Sequence, residues 1–221
     1  MKITSYGVKE VVRQTALSCA IIALVVCASF ILAAKILLVF ALIPLVWLVF
    51  ILYFFRDPQR SVPAGDDNIV APADGTVVEI GEGEDVEFVG SPTRKIGIFL
   101  SLFSVHVNRS PCGGKVVYLK YTPGRFLSAA KSESSHQNES NSIGLVTQKG
   151  KILLKQIAGV IARRIICEAK EGDSLEKGEK FGMIKFGSRT EIYIPADLEF
   201  QLQVCLGEKV KAGETVLGVF R

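Results

Sequence analysis

Only two histidines occur in the 221 residues, so each can be weighed as a proton carrier near neutral pH. His106 closes the run Ser101-Leu102-Phe103-Ser104-Val105-His106-Val107-Asn108-Arg109; standing alone, a His at the end of an apolar strand is more often structural than catalytic. His136 lies in Lys131–Ser142, a polar, Ser-rich loop, where solvation is the default. Asp74, in Ala71-Pro72-Ala73-Asp74-Gly75, reads as a turn aspartate before glycine. Ser188, in Phe186-Gly187-Ser188-Arg189, reads as a loop serine. These residue types can together activate a hydroxyl for nucleophilic attack, but their spacing alone does not join them. The five cysteines (Cys19, Cys27, Cys112, Cys167, Cys205) are odd in number and lack CxxC spacing. That argues against a zinc site and a disulfide framework, and fits a reducing compartment.

The elements that must carry these residues separate cleanly. From Ala16 to Phe55, 36 of 40 positions are apolar, the exceptions being Ser18, Ser29, Lys35 and Pro44. The other 181 residues are about 40% apolar, ordinary for a soluble domain. A bilayer core needs about 20 apolar residues in a helix, so residues 1–55 read as a membrane anchor, either a hairpin of two spans, 16–34 and 36–55, which is the favoured reading, or one longer tilted helix with the rest interfacial. A turn at Ala33–Lys35 without Gly or Pro is unusual. Basic flanks on both sides (Lys2, Lys9, Arg13; Arg56, Arg60) place both ends in the cytoplasm by the positive-inside rule. The apolar stretch is too long for a cleaved signal peptide. Net charge is +4 overall, of which the anchor holds +3. The remainder therefore lacks the basic surface that a nucleic-acid binder carries.

Residues 56–221 follow a polar linker, Arg56-Asp57-Pro58-Gln59-Arg60-Ser61-Val62-Pro63, and read as short strands punctuated by Gly and Pro. Strands are expected at Gly75–Ile80, Lys95–Leu102, Gly114–Thr122, Gly144–Thr147, Ile152–Ile157, Arg164–Ala169, Glu191–Ile194, Phe200–Val204 and Thr215–Phe220, with a short helix over Ile157–Ile166. The fold class is mainly β (α+β): a compact β-sandwich or barrel-sandwich-like domain behind a transmembrane helical segment. Gly172-Asp-Ser-Leu-Glu-Lys-Gly178-Glu is echoed 35 residues later by Gly207-Glu-Lys-Val-Lys-Ala-Gly213-Glu. The pattern resembles the half-units of lipoyl-type barrel-sandwich domains and suggests a pseudo-symmetric sandwich.

Taken in order, Phe55-Arg56-Asp57-Pro58, Ala71-Pro72-Ala73-Asp74-Gly75, Val105-His106-Val107-Asn108-Arg109, Asn138-Glu139 within Gly124–Asn141, and Phe186-Gly187-Ser188-Arg189 before Ile192-Tyr193-Ile194-Pro195 resemble the phosphatidylserine decarboxylase proenzyme family. The Phe-Gly-Ser-Arg form is similar to its compact branch. The longer branch carries a second His three residues before the catalytic one; Phe103 stands there in this chain. The resemblance implies a catalytic set of Asp74, His106 and Ser188, with self-cleavage between Gly187 and Ser188. His106 takes the Ser188 proton and Asp74 fixes the imidazole. A pyruvoyl group generated from Ser188 is then the cofactor, with neither metal nor pyridoxal phosphate. Its ketone serves as an electron sink while carbon dioxide leaves phosphatidylserine to give phosphatidylethanolamine, and His106 returns the proton.

The implied partners are a phospholipid in the membrane and the paired fragments 1–187 and 188–221. No nucleic acid is expected, and a homodimer is left open. The implied place is the inner (cell) membrane, with the catalytic domain on its cytoplasmic face. Residues 122–142 read either as a lid contacting the serine headgroup through His136 or Asn138, or as a mobile surface loop. Two alternatives stand beside this reading. One is a decarboxylase of another serine phospholipid such as archaetidylserine. The other is a membrane-anchored lipoyl-like adaptor without activity, which would carry a long, heptad-rich helical hairpin between barrel halves, a stretch that this sequence lacks.

Overall fold

The computed structural model describes residues 2–83, 87–160, 164–185 and 187–221, and the chain divides into two compact units, Met1–Pro58 and Gln59–Arg221. In the first, α1 (Val8–Ile31) and α2 (Leu42–Phe54) are joined by a 3-10 stretch, Lys35–Ala41. Two helical segments, Ser5–Ile31 and Lys35–Phe54, are long and apolar enough to cross a membrane. Their large side chains, Leu24, Phe30, Ile43 and Val46 among them, are exposed, which suits a lipid surround and not water. The turn without Gly or Pro is made by Ala33, which adopts φ +48°. Its strain, of order 1–2 kcal/mol, is offset where the Ala34 N–H reaches the Ser29 carbonyl at 3.1 Å. At the far ends Ile3 bridges Arg56, and the Asp57 N–H donates to the Lys2 carbonyl.

The second unit is mainly β, as its Gly-punctuated pattern predicts. Its strands are β1 (Asn68–Val70), β2 (Gly75–Gly83), β3 (Thr93–Leu100), β4 (Val107–Arg109), β5 (Gly114–Thr122), β6 (Ser140–Thr147) and β7 (Gly150–Ile157). The series continues with β8 (Ile165–Cys167), β9 (Ser174–Leu175), β10 (Lys180–Ile184), β11 (Ser188–Pro195), β12 (Phe200–Leu202), β13 (Lys209–Val210) and β14 (Val216–Phe220). One short helix, α3 (Ser134–Gln137), lies in the loop before β6. An eight-stranded sheet runs β13-β2-β3-β11-β7-β6-β5-β9, with two three-stranded sheets, β4-β10-β8 and β1-β14-β12.

The register explains where the core sits. Ile80, Ile96, Ile192, Leu154, Ile143 and Leu119 form one cross-strand row over six strands, and such rows are the unit of sheet stabilisation. Two residues along, the row turns polar beyond Ile98, at Thr190, Gln156 and Asn141. Two further along β11 stands Ser188, opposite Leu100. The Gly-Glu echo is structural. Its two copies supply β9 and β13, the two edge strands of the large sheet, and matching glycines, 172 with 207 and 178 with 213, have positive φ.

Two expectations are corrected. The short helix over Ile157–Ile166 does not form: Ile157 ends β7, Ile165 and Ile166 belong to β8, and residues 161–163 lie outside the described residues. The β-branched isoleucines there favour strand. β11 begins at Ser188, three residues before the expected Glu191.

Candidate active site

The link from β10 to β11 holds Gly187 and Ser188. β10 pairs with β4, setting Met183 opposite Val107, and the Ile184 N–H donates to the His106 carbonyl at 3.3 Å. β11, which follows, lies between β3 and β7. This brings His106 to the Gly187–Ser188 link: the Gly187 N–H donates to His106 Nε2 at 3.4 Å. Phe186, the first residue of the Phe-Gly-Ser-Arg motif, lies outside the described residues.

The imidazole is fully buried, and its Nδ1 lies 2.9 Å from the Ser104 carbonyl oxygen. A carbonyl can only accept, so Nδ1 carries the proton and Nε2 keeps its lone pair, turned to the Gly187–Ser188 link. Gly187 adopts φ +65°, a conformation that glycine takes without steric cost. Gly159 lies so near that a Cβ on it would run into the Gly187 carbonyl oxygen. That carbonyl is thereby held between a residue that must be glycine for its backbone angle and another that must be glycine for space. Ser188 is wholly buried, and among the described residues its Oγ has no hydrogen-bond partner. A buried hydroxyl left unsatisfied costs about 1–3 kcal/mol, so it calls for an explanation.

Asp74 is held differently from the other two. Its two oxygens accept from Arg60 Nη2 at 2.9 and 2.8 Å, and Oδ1 also accepts from the Ala212 N–H at 2.8 Å. Arg60 also reaches Glu214 at 3.5 Å. Thr76 pairs with Phe99 and Phe99 with Arg189, so Asp74 stands at the Ser188 end of the sheet, two strands away or about 10 Å between strand axes. The turn before it supports β4 directly, since the Pro72 carbonyl accepts from the Arg109 N–H at 2.9 Å and from Asn108 Nδ2 at 3.5 Å. His106 and the Gly187–Ser188 link are thus in contact, while Asp74 is engaged by Arg60.

The loop residues separate as well. Asn138 is buried and its amide is spent on backbone: Oδ1 accepts from the Leu127 N–H, and Nδ2 donates to the Leu127 and Ala158 carbonyls. His136 is exposed. Asn138 therefore pins the loop to Ala158, next to Gly159.

Sequence reasoning missed Arg60, because its partners lie 14 and 154 residues away. It missed the Ser104 carbonyl, because a backbone atom has no sequence signature. It also quoted Asn108 without a role. Asn108 Nδ2 donates to Thr190 at 3.0 Å and Oδ1 accepts from Gln156 at 2.9 Å, so β4 is locked to β11 and β7 beneath Ser188. Among the described residues no cluster of His, Cys, Asp or Glu could hold a metal ion.

Comparison with known proteins bears on this arrangement. The family model for phosphatidylserine decarboxylase matches residues 47–218. A phosphatidylserine decarboxylase proenzyme of Syntrophus aciditrophicus is 50% identical over 181 residues, covering 81% of this chain and 84% of that protein. Proteins of the same description from Pelobacter propionicus, 50% identical over 170 residues and 76% of each chain, and from Salinibacter ruber, 48% over 174 residues, 77% of this chain and 76% of that one, are similar to a comparable degree. With a match running from the end of the apolar segment into the last strand, the chain belongs to the phosphatidylserine decarboxylase family.

Proposed function

We propose that this protein is a carboxy-lyase that decarboxylates phosphatidylserine to phosphatidylethanolamine after cutting its own chain between Gly187 and Ser188. The observation that carries the reading is the buried, unpartnered Ser188 Oγ beside a Gly187 at φ +65° whose N–H rests on His106 Nε2. Family membership supplies the reaction class.

The chain's own residues account for the cut. Nε2 of His106 takes the Ser188 hydroxyl proton, and Oγ attacks the Gly187 carbonyl carbon; apo hydrogen bonds of this kind often tighten only as reaction begins. The Gly187–Ser188 amide becomes an ester, with the Ser188 nitrogen as a free amine. Loss of the Ser188 α-proton expels the Gly187 carboxylate, leaving dehydroalanine at 188. Water converts that to a ketone and ammonia, which makes a pyruvoyl group at the head of fragment 188–221. The unpartnered Oγ fits this chemistry, since a hydroxyl tied to another acceptor must first be freed. Asp74 acts on β4 through the Pro72 turn while Arg60 keeps its carboxylate in place.

The pyruvoyl group, once formed, supplies an electron sink for the decarboxylation. His106, buried and held by Ser104, is the proton donor to the substrate carbon. The two apolar helical segments are compatible with membrane association, and the basic flanks support, by the positive-inside rule, a catalytic unit on the cytoplasmic face of the cell membrane. With Asn138 spent on the loop itself, the headgroup contact from residues 122–142 falls to His136.

Intact-mass analysis of the purified protein in detergent tests the reading. Two fragments are expected, 1–187 and 188–221, the smaller blocked at its amino end and reactive with phenylhydrazine. A single chain of 24.0 kDa after full incubation would sink it. Assays with ester- and ether-linked serine lipids then distinguish phosphatidylserine from archaetidylserine.

A further inference from the structure

β11 is buried along its whole length, and its two faces differ. Ser188, Thr190 and Ile192 face the main core, whereas Arg189, Glu191 and Tyr193 face the other way. On that second face lies a continuous charge network. Arg189 is 1% exposed and Glu191 fully buried. Arg189 Nε donates to Glu191 Oε1 at 2.6 Å, and its Nη2 donates to Glu79. The other Glu79 oxygen takes Lys95 Nζ at 2.5 Å. Glu191 Oε2 accepts from Tyr193 OH at 2.6 Å and from Ser135 Oγ at 2.7 Å. Lys155 Nζ caps the Ser135 carbonyl at 2.6 Å. The space for Arg189 comes from Gly97, where a Cβ would meet the guanidinium.

The network has a property that matters only once the chain is cut. Arg189, Glu191 and Tyr193 go with fragment 188–221; Glu79, Lys95, Ser135 and Lys155 go with fragment 1–187. Before the cut, the peptide bond to Gly187 fixes residue 188. Afterwards residue 188 is a strand end, held by ladder hydrogen bonds that look alike in every register. A slip of one residue turns every β11 side chain to the opposite face, taking the new chain end away from His106. A buried ion pair resists this, because a slip leaves charge buried and unpaired.

We propose that Glu79, Arg189 and Glu191 form a register latch, positioning residues that hold the head of the small fragment at the active site after self-cleavage. The inference rests on the cut proposed above. Glu79 is the member to test, since it lies on the large fragment and touches no reacting atom. Ser135 ties α3, and with it the loop pinned by Asn138, to the same carboxylate.

The experiment compares wild type, Glu79→Gln and Glu79→Asp as full-length proteins in detergent. Glu79→Gln is expected to cut itself to the same extent as wild type, yet to lose at least about tenfold in kcat with KM changed by less than about threefold. Glu79→Asp restores part of kcat. The small fragment should separate at lower urea in cut Glu79→Gln than in cut wild type. In the uncut Ser188→Ala background the same substitution should move the unfolding midpoint much less. Unchanged kcat, equal loss of urea resistance in cut and uncut forms, or blocked cleavage in Glu79→Gln would each overturn the latch. An uncut wild type overturns the proposed function instead, so the two failures are distinguishable.

Discussion

The two faces of β11 are equally buried and chemically unlike. Toward the core, the polar groups around Ser188 are neutral: Thr190, Asn108, Gln156 and Asn141 form a hydrogen-bonded chain. Toward the outer face, Arg189, Glu191, Glu79 and Lys95 are charged and paired. Among the described residues the neutral face leaves one hydroxyl unsatisfied, at Ser188. The charged face leaves none of these four groups without a partner. In the proposed scheme, reactivity and retention fall to opposite sides of one strand. A substitution on one side should disturb its own task first.

The sharpest break is at His106. In the proposed mechanism, replacing it with Ala removes the base, and cleavage monitored by mass should slow by about 10²–10⁴-fold. Asp74→Asn should slow it by only about tenfold, the scale of one charged hydrogen bond, because the Ser104 carbonyl and not Asp74 holds Nδ1. Equal losses from the two substitutions would mean that Asp74 moves onto the imidazole during reaction. Wild-type cleavage in His106→Ala would remove the core face from the chemistry.

The same strand shows what a sequence can convey. The apolar alternation of Ile192 and Ile194 announces a strand, and the expected Glu191–Ile194 lies within β11. Ser188, Arg189 and Thr190 read as loop because a Ser-Arg-Thr run carries no apolar period. Their burial is a tertiary fact, made by partners on β2, β3 and β7. β5 falls where the pattern predicts, at Gly114–Thr122, since nine residues suffice to show a period. β4, β1, β9 and β13, of two or three residues, are too short to show one. The residue types that meet at the Gly187–Ser188 link were legible; the Arg60 clasp on Asp74 and the charge network were not, because pairings between distant strands leave no local pattern.

A smaller effect tests whether the neutral chain is structural. Asn108→Leu keeps volume but leaves the Gln156 amide and the Thr190 hydroxyl without that partner. The cost should be about 2–4 kcal/mol, read as a lower Tm in both the cut protein and the uncut Ser188→Ala form. This is the reverse of the latch, whose loss should weigh mainly on the cut form. A Tm fall confined to the cut form would merge the two faces into one device.

The smallest effect is set by pH. Burial tends to raise the Glu79 carboxyl, but the Lys95 hydrogen bond and the charges of Arg189 and Lys95 outweigh it and hold it below its ordinary value of 4.5. A carboxyl depressed on folding binds protons less readily than in the unfolded chain, so its contribution is complete above about pH 4.5 and is lost as pH falls through the folded value. Fragment retention should therefore be flat from pH 7 to about pH 5 and weaken below it. Glu79→Gln should start weaker and show a shallower decline, because the substituted amide has no proton to gain. If the acid decline is as steep in Glu79→Gln as in wild type, the titrating group lies elsewhere and the charged face owes its retention to packing.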